Sequence, residues 1–145
     1  MKIIVLTSRF PFPFTSGGIK RIISICRYLS NKGHELTLVS YIRPNENSIN
    51  ACKEPELKKI FNEIYLIEIN YLEQIFNVLV NFFYRTPFQI SLYRSIRMSK
   101  LLKKLSSIEY DISIFHLIRG ASYLDDINAK HSILEMTDSI SLNMI

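Results

Sequence analysis

The first 42 residues hold a strand, a helix and a second strand, and no other feature of the chain restricts its fold as much. "KIIVL" (2–6) is a continuous apolar run rich in β-branched residues, the pattern of a strand covered on both faces. Between 18 and 32 the apolar residues Ile19, Ile22, Ile23, Cys26 and Leu29 recur at helical spacing, which leaves one buried stripe. Gly33 is placed to end that helix in a left-handed turn, and "ELTLVSYI" (35–42) reads as the next strand. Strand, helix and strand at this spacing form a βαβ unit, whose crossover is right-handed.

The rest of the chain continues the alternation. Residues 43–55 are polar, with Pro44 and Pro55 near the ends, and read as a loop. "EIYLIEI" (63–69) is a third strand, "YDISIFHL" (110–117) a fourth and "HSILEM" (131–136) a fifth. Helical stretches are expected over 71–84 and 89–106, parted at Thr86-Pro87, where proline stops a helix. A short helix is expected from Arg119 to Asn128. Thr137 or Asp138 then caps a further helical turn. The pattern predicts an α/β fold: one Rossmann-like parallel sheet with helices on both faces, spanning 1–145 as a single domain. "TDSISLNMI" stops in an apolar phase without a closing Gly, Pro or basic residue, so the domain reads as incomplete at its C-terminal end.

Composition narrows the function classes. With 48% apolar and 21% charged residues and no repeats, 145 residues suit a globular domain with a real core. "KIIVL" is too short for a signal peptide, and "IFNVLVNFFY" (75–84) falls well below a spanning length. The expectation is a cytoplasmic chain with its two cysteines, Cys26 and Cys52, reduced. The net charge of +5 is uneven: 1–50 holds seven of the 18 basic residues against two acids, and 92–105 holds five with no acid. Nucleic acid, an anionic membrane or a phosphorylated small molecule can each explain such a bias. Nucleic acid is disfavoured, because Phe10, Phe12 and Phe14 have no basic companion stripe apart from Arg9.

Ligands of open α/β sheets bind outside the carboxyl ends of the strands. Gly17 and Gly18 stand between the first strand and its helix, where free N–H groups can receive a phosphate or sugar oxygen. They suit a tight turn equally well, and neither G-x-G-x-x-G nor the phosphate-binding loop motif is present. His116 falls at the end of the fourth strand on the same edge, where an imidazole can donate to a hydroxyl or pair with a phosphate; a structural bond to a backbone carbonyl is the other reading. Arg119 can anchor an anionic group or sit solvated at a helix start. Tyr123 follows it by one helical turn, and Asp138 can bind a hydroxyl or cap its helix. The histidines lack metal-ligand spacing, so neither a metal site nor a cofactor is expected. No nucleophile constellation appears. On a helical wheel Arg97, Lys100, Lys103 and Lys104 cluster opposite Met98, Leu101, Leu102 and Leu105. That face can lie on an anionic membrane or simply be solvated.

"MKIIVLTSRFPFPFTSGGIKRIISICRYLSNKGHELTLVS" resembles the start of glycosyltransferase family 4, retaining enzymes with two Rossmann-like halves in the GT-B arrangement. "YDISIFHLIRGASYL" and "ILEMTDSISLNMI" look like its bacterial polysaccharide branch, where D-x-x-D-x-x-S follows the fifth strand. Here Glu135 stands at the first aspartate, which counts against a role for that carboxylate, while Asp138 and Ser141 keep the others. The resemblance covers only the N-terminal, acceptor-side half. It implies Gly17 and Gly18 at the glycine loop, His116 near the transferred sugar, and transfer from a nucleotide-sugar to a hydroxyl of a glycan or lipid-linked acceptor. It also implies that the donor binds only with a C-terminal domain or subunit, so the chain alone would be inactive. Peripheral contact with the inner face of the membrane through 71–105 is the expected localisation. A non-enzymatic Rossmann-like module that binds a membrane or protein partner through 71–105 is the competing class.

Overall fold

The computed structural model of the chain describes residues 1–14, 17–44, 50, 52–72, 75–76 and 94–136. Strands β1 (Lys2–Thr7), β2 (Glu35–Ile42), β3 (Glu63–Glu68), β4 (Tyr110–His116) and β5 (Ala129–Glu135) form one sheet in the order β3-β2-β1-β4-β5. All four pairings are parallel, so each connection crosses over the sheet and carries a helix with it. The result is a Rossmann-like α/β fold. Between β1 and β4 the winding changes direction, which opens a crevice at the carboxyl edge.

Strand parity sorts the core into two layers. Ile3 and Val5 of β1, Leu36 and Leu38 of β2 and Ile114 of β4 share one face with helix α1 (Gly17–Asn31). Ile4, Leu6, Val39, Tyr41 and Phe115 share the other with helix α3 (Ile96–Leu105). β1 and β2 are buried on both faces; β1 is an apolar run from Ile3 to Leu6, and β2 buries Thr37 and Ser40 among its apolar residues. α1 presses Ile22, Ile23 and Cys26 into the first layer, and each buried isoleucine contributes about 1.5–3 kcal/mol. The helix ends where Gly33 takes φ +81°. Gly33 N–H donates to Ser30 O (2.9 Å) and His34 N–H to Leu29 O (3.3 Å), the paired bonds of a Schellman turn.

Cys26 is fully buried in this layer, and burial pushes its thiol up from 9.0 to about 12. The thiolate is the reactive form, so Cys26 is expected to resist a thiol reagent at pH 8 until the protein unfolds. Half-buried Cys52 should react first; titration of the native and denatured protein, with Cys52→Ala as the control, checks this.

Several boundaries move. The loop expected over 43–55 runs into a four-residue helix, α2 (Pro55–Lys58), with proline in its first turn. The helix expected from 89 begins at Ile96, because the Ser95 hydroxyl accepts the Arg97 N–H at 3.2 Å and caps it; 89–93 lie outside the described residues. The turn expected over 119–128 is a 3-10 helix, Ile118–Asp126, and β5 starts two residues early, at Ala129. Of 71–84, Tyr71, Leu72, Ile75 and Phe76 are helical, and the rest lies outside the described residues. Met98, Leu102 and Leu105 of α3 are buried, while Arg97, Lys100, Lys103 and Lys104 are exposed. Lys103 reaches Asp126 at 3.7 Å.

Candidate functional site

On the α1 side of the sheet, four strands place a polar residue after an apolar one near their carboxyl ends: Thr7 follows Val5, Ser40 follows Leu38, His116 follows Ile114 and Glu135 follows Ile133. The register sets these four side by side. Thr7 is opposite both Ser40 and His116, and His116 is opposite Glu135. A polar row therefore closes the carboxyl edge of an otherwise apolar face.

The row bonds internally in two pairs. Thr7 Oγ1–H donates to Ser40 Oγ at 2.8 Å. His116 Nδ1 lies 2.5 Å from Glu135 Oε2, and the other carboxylate oxygen, Oε1, lies 3.0 Å from Arg21 Nε on α1. The Glu135 side chain is only 9% exposed and that of His116 only 7%, and both carboxylate oxygens face a nitrogen partner, as buried polar groups require.

Above β1 and β4 this row opens into a cleft of about 310 Å³, a size that suits one sugar ring or one phosphorylated group. Thr7, Ser8, Arg9 and Pro11 form the β1 wall, and Gly18, Ile19 and Ile22 the α1 wall. His116, Leu117 and Arg119 supply the β4 wall. Gly18 comes so close to the imidazole that a Cβ there would lie 3.8 Å from His116 Nε2. Arg9 and Arg119 bring guanidinium groups to the lining, a chemistry suited to ligand oxygens.

Of the residues singled out in the sequence, Gly18, His116 and Arg119 line one cleft. Gly17 stands apart: it is exposed, outside the lining, and an added Cβ meets nothing within 4 Å. Tyr123 is placed in the other layer, 1% exposed, with its hydroxyl 2.6 Å from the Tyr41 hydroxyl and accepting the Ser95 N–H at 2.6 Å. A buried phenol bonded to the start of α3 braces the fold; it does not face the cleft. Asp138 and Ser141 lie outside the described residues. Glu135 requires the opposite correction. The exchange of aspartate for glutamate counted against it, yet the longer side chain spans from the His116 ring to Arg21. Arg21, Thr7 and Leu117 were also missed. The available signal was parity, since Thr7, His116 and Glu135 each break an alternating apolar face at a strand end.

A second hollow, about 770 Å³, lies at the opposite edge beside Lys2, Glu35, Asp111 and Lys130. There Lys130 and Asp111 form an ion pair. Lys130 Nζ lies 2.7 Å from Asp111 Oδ1, and that ammonium, with the Lys2 N–H, holds the Asp111 carboxyl below its usual range. Among the described residues no group of three or more His, Cys, Asp or Glu is gathered as metal ligands, and no helix is long and apolar enough to cross a membrane.

No protein-family model matches the chain, and no curated protein sequence matches it. The functional reading therefore rests on the fold, the cleft and the sequence resemblance.

Proposed function

We propose that this Rossmann-like domain is the acceptor-side half of a retaining glycosyltransferase, and that the cleft between β1 and β4 holds a sugar or sugar phosphate. The supporting observation is His116, set at the switch point with Nε2 turned toward Gly18 and Nδ1 bound to a buried carboxylate. Hydroxyl-rich ligands need such fixed polar groups among apolar walls, here Ile19, Ile22 and Pro11. The sequence resemblance supplies the reaction class. In that scheme the leaving diphosphate is stabilised by charged groups on a second, nucleotide-binding half, and closure of the halves excludes water. Nothing among the described residues of this chain performs that task, so the purified chain is expected to transfer no sugar by itself.

The test is transfer of label from a panel of radiolabelled nucleotide-sugars into membrane lipid, by the chain alone and by the chain added back to an extract of cells that lack it. Incorporation that depends on the added chain is expected. A folded chain that changes nothing in the extract, across the whole panel, overturns the transferase reading. Gly18→Ala sharpens the assay. The new Cβ meets His116 at ordinary contact distance, so the fold should keep its stability or gain roughly a few tenths of a kcal/mol from helix propensity. The same methyl group occupies the ligand's approach to Nε2, and ligand affinity should fall about tenfold.

A second reading is favoured by one observation. Tyr71, Leu72, Ile75 and Phe76 are 55–79% exposed, and Arg97, Lys100 and Lys104 form an exposed cationic face on α3. Exposed apolar groups and cations together suit the surface of an anionic bilayer. Co-sedimentation with phosphatidylglycerol vesicles and not with phosphatidylcholine vesicles, abolished by Arg97→Glu with Lys100→Glu, is the expected result of membrane contact. Equal behaviour on both vesicle types excludes it.

A further inference from the structure

The hydrogen on the short His116–Glu135 contact can be placed by elimination. The Glu135 carboxylate pairs through Oε1 with the Arg21 guanidinium at 3.0 Å, so it meets that side as a hydrogen-bond acceptor. An ionised carboxylate only accepts hydrogen bonds. The proton between Oε2 and Nδ1, 2.5 Å apart, therefore belongs to the imidazole. In the neutral ring the lone pair is then on Nε2, the nitrogen that faces Gly18 and the cleft.

We propose that Glu135, braced by Arg21, is a positioning residue: it holds His116 in the Nδ1–H tautomer, so that Nε2 offers a hydrogen-bond acceptor to the ligand and selects a hydroxyl over an anionic oxygen. The surrounding walls carry the guanidinium residues Arg9 and Arg119. An acceptor held at that point is a specificity device, because a ligand without a hydrogen there sets its own lone pairs against the Nε2 lone pair. Anionic oxygens are directed to the guanidinium side instead. The tautomer follows from the Glu135 and Arg21 contacts alone, whereas the selection of a hydroxyl rests on the proposed sugar-binding role of the cleft.

The experiment is nitrogen NMR of the full chain carrying ring-15N histidine, with His34→Gln and His131→Gln to assign the signals. At the alkaline end of a pH series, where the rings are neutral, His116 should show a protonated Nδ1 and a bare Nε2. Glu135→Ala should convert it to the Nε2–H form that an unconstrained imidazole prefers, and Arg21→Ala, an exposed position, should move the population the same way without unfolding the chain. Neutral methyl glycosides are then expected to shift the Nε2 signal, and inorganic phosphate is expected to leave it in place. An Nε2–H tautomer in the unmodified chain overturns the proposal whether or not the variants fold, as does a folded Glu135→Ala with the tautomer unchanged. Phosphate that shifts Nε2 more than the glycosides do overturns the selection. The expected tautomer with both ligands silent defeats the sugar-binding reading and the selection with it, and leaves Glu135 as the positioning residue.

Discussion

Gly120→Ala is expected to lower the stability of the domain by about 1–3 kcal/mol, a strong effect for one added methyl group. Gly120 is buried in the 3-10 helix, and a Cβ there would lie 3.1 Å from Phe115 Cβ and 3.7 Å from Phe115 Cα. Neither atom is the tip of a flexible side chain. Phe115 is 1% exposed and belongs to β4, which pairs on both sides, with β1 and with β5. The sheet would have to shift to make room, and close-packed interiors resist such shifts. The lower entropy of the unfolded alanine chain offsets only about 0.4–1 kcal/mol of this. Urea denaturation of the variant beside the parent checks it; an unchanged midpoint would mean that the 3-10 helix is free to lift from the sheet.

Three residues earlier, Leu117→Gly should act in the opposite direction. Leu117 has φ 69° and ψ 161°, a region almost reserved for glycine, at a cost of about 1–3 kcal/mol for a side-chain-bearing residue. The conformation is held from both sides. Its N–H donates to Glu135 O at 2.8 Å, and its carbonyl accepts the Gly120 N–H at 3.1 Å. Glycine would relieve the strain and lose part of the gain to unfolded-state entropy, leaving a net stabilisation of about 1–2 kcal/mol. Leu117 also forms part of the cleft wall next to His116, so the stabilised variant should bind ligand more weakly. A rise in denaturation midpoint together with a fall in ligand affinity is the expected pair of results. A variant that is both more stable and equally competent would remove the strain from the function of the site.

The site was legible in the sequence only in part, and the divisions are physical. His116 and Gly18 were visible because a strand end and a helix start can be placed from local periodicity, and both fall on one edge of a parallel sheet. Gly17 could not be separated from Gly18 this way, since the direction in which each Cα faces depends on how α1 seats on the sheet. Tyr123 was misplaced because its segment winds as a 3-10 helix, whose residues at i and i+3 eclipse, so α-helical spacing from Arg119 misjudges the direction of its ring. Glu135 was discounted from a motif comparison that compares residue types and ignores reach. One extra methylene is what such a comparison penalises and what a bridge between His116 and Arg21 uses.

The sequence by itself determined the βαβ order, the two apolar faces of β1, the buried stripe of α1, its closure at Gly33 and the basic face of α3. These are local properties: side-chain direction follows from periods of about 2 and 3.6 residues, and any stretch of chain displays its own period. The tertiary structure alone decided that β4 lies beside β1 and that Ser40, Thr7, His116 and Glu135 occupy one row. Strand neighbours and register depend on how long crossovers pack their helices against the sheet, and no local period records that choice. The polar row exists because four strand ends, separated by up to 128 positions from Thr7 to Glu135, come level in space.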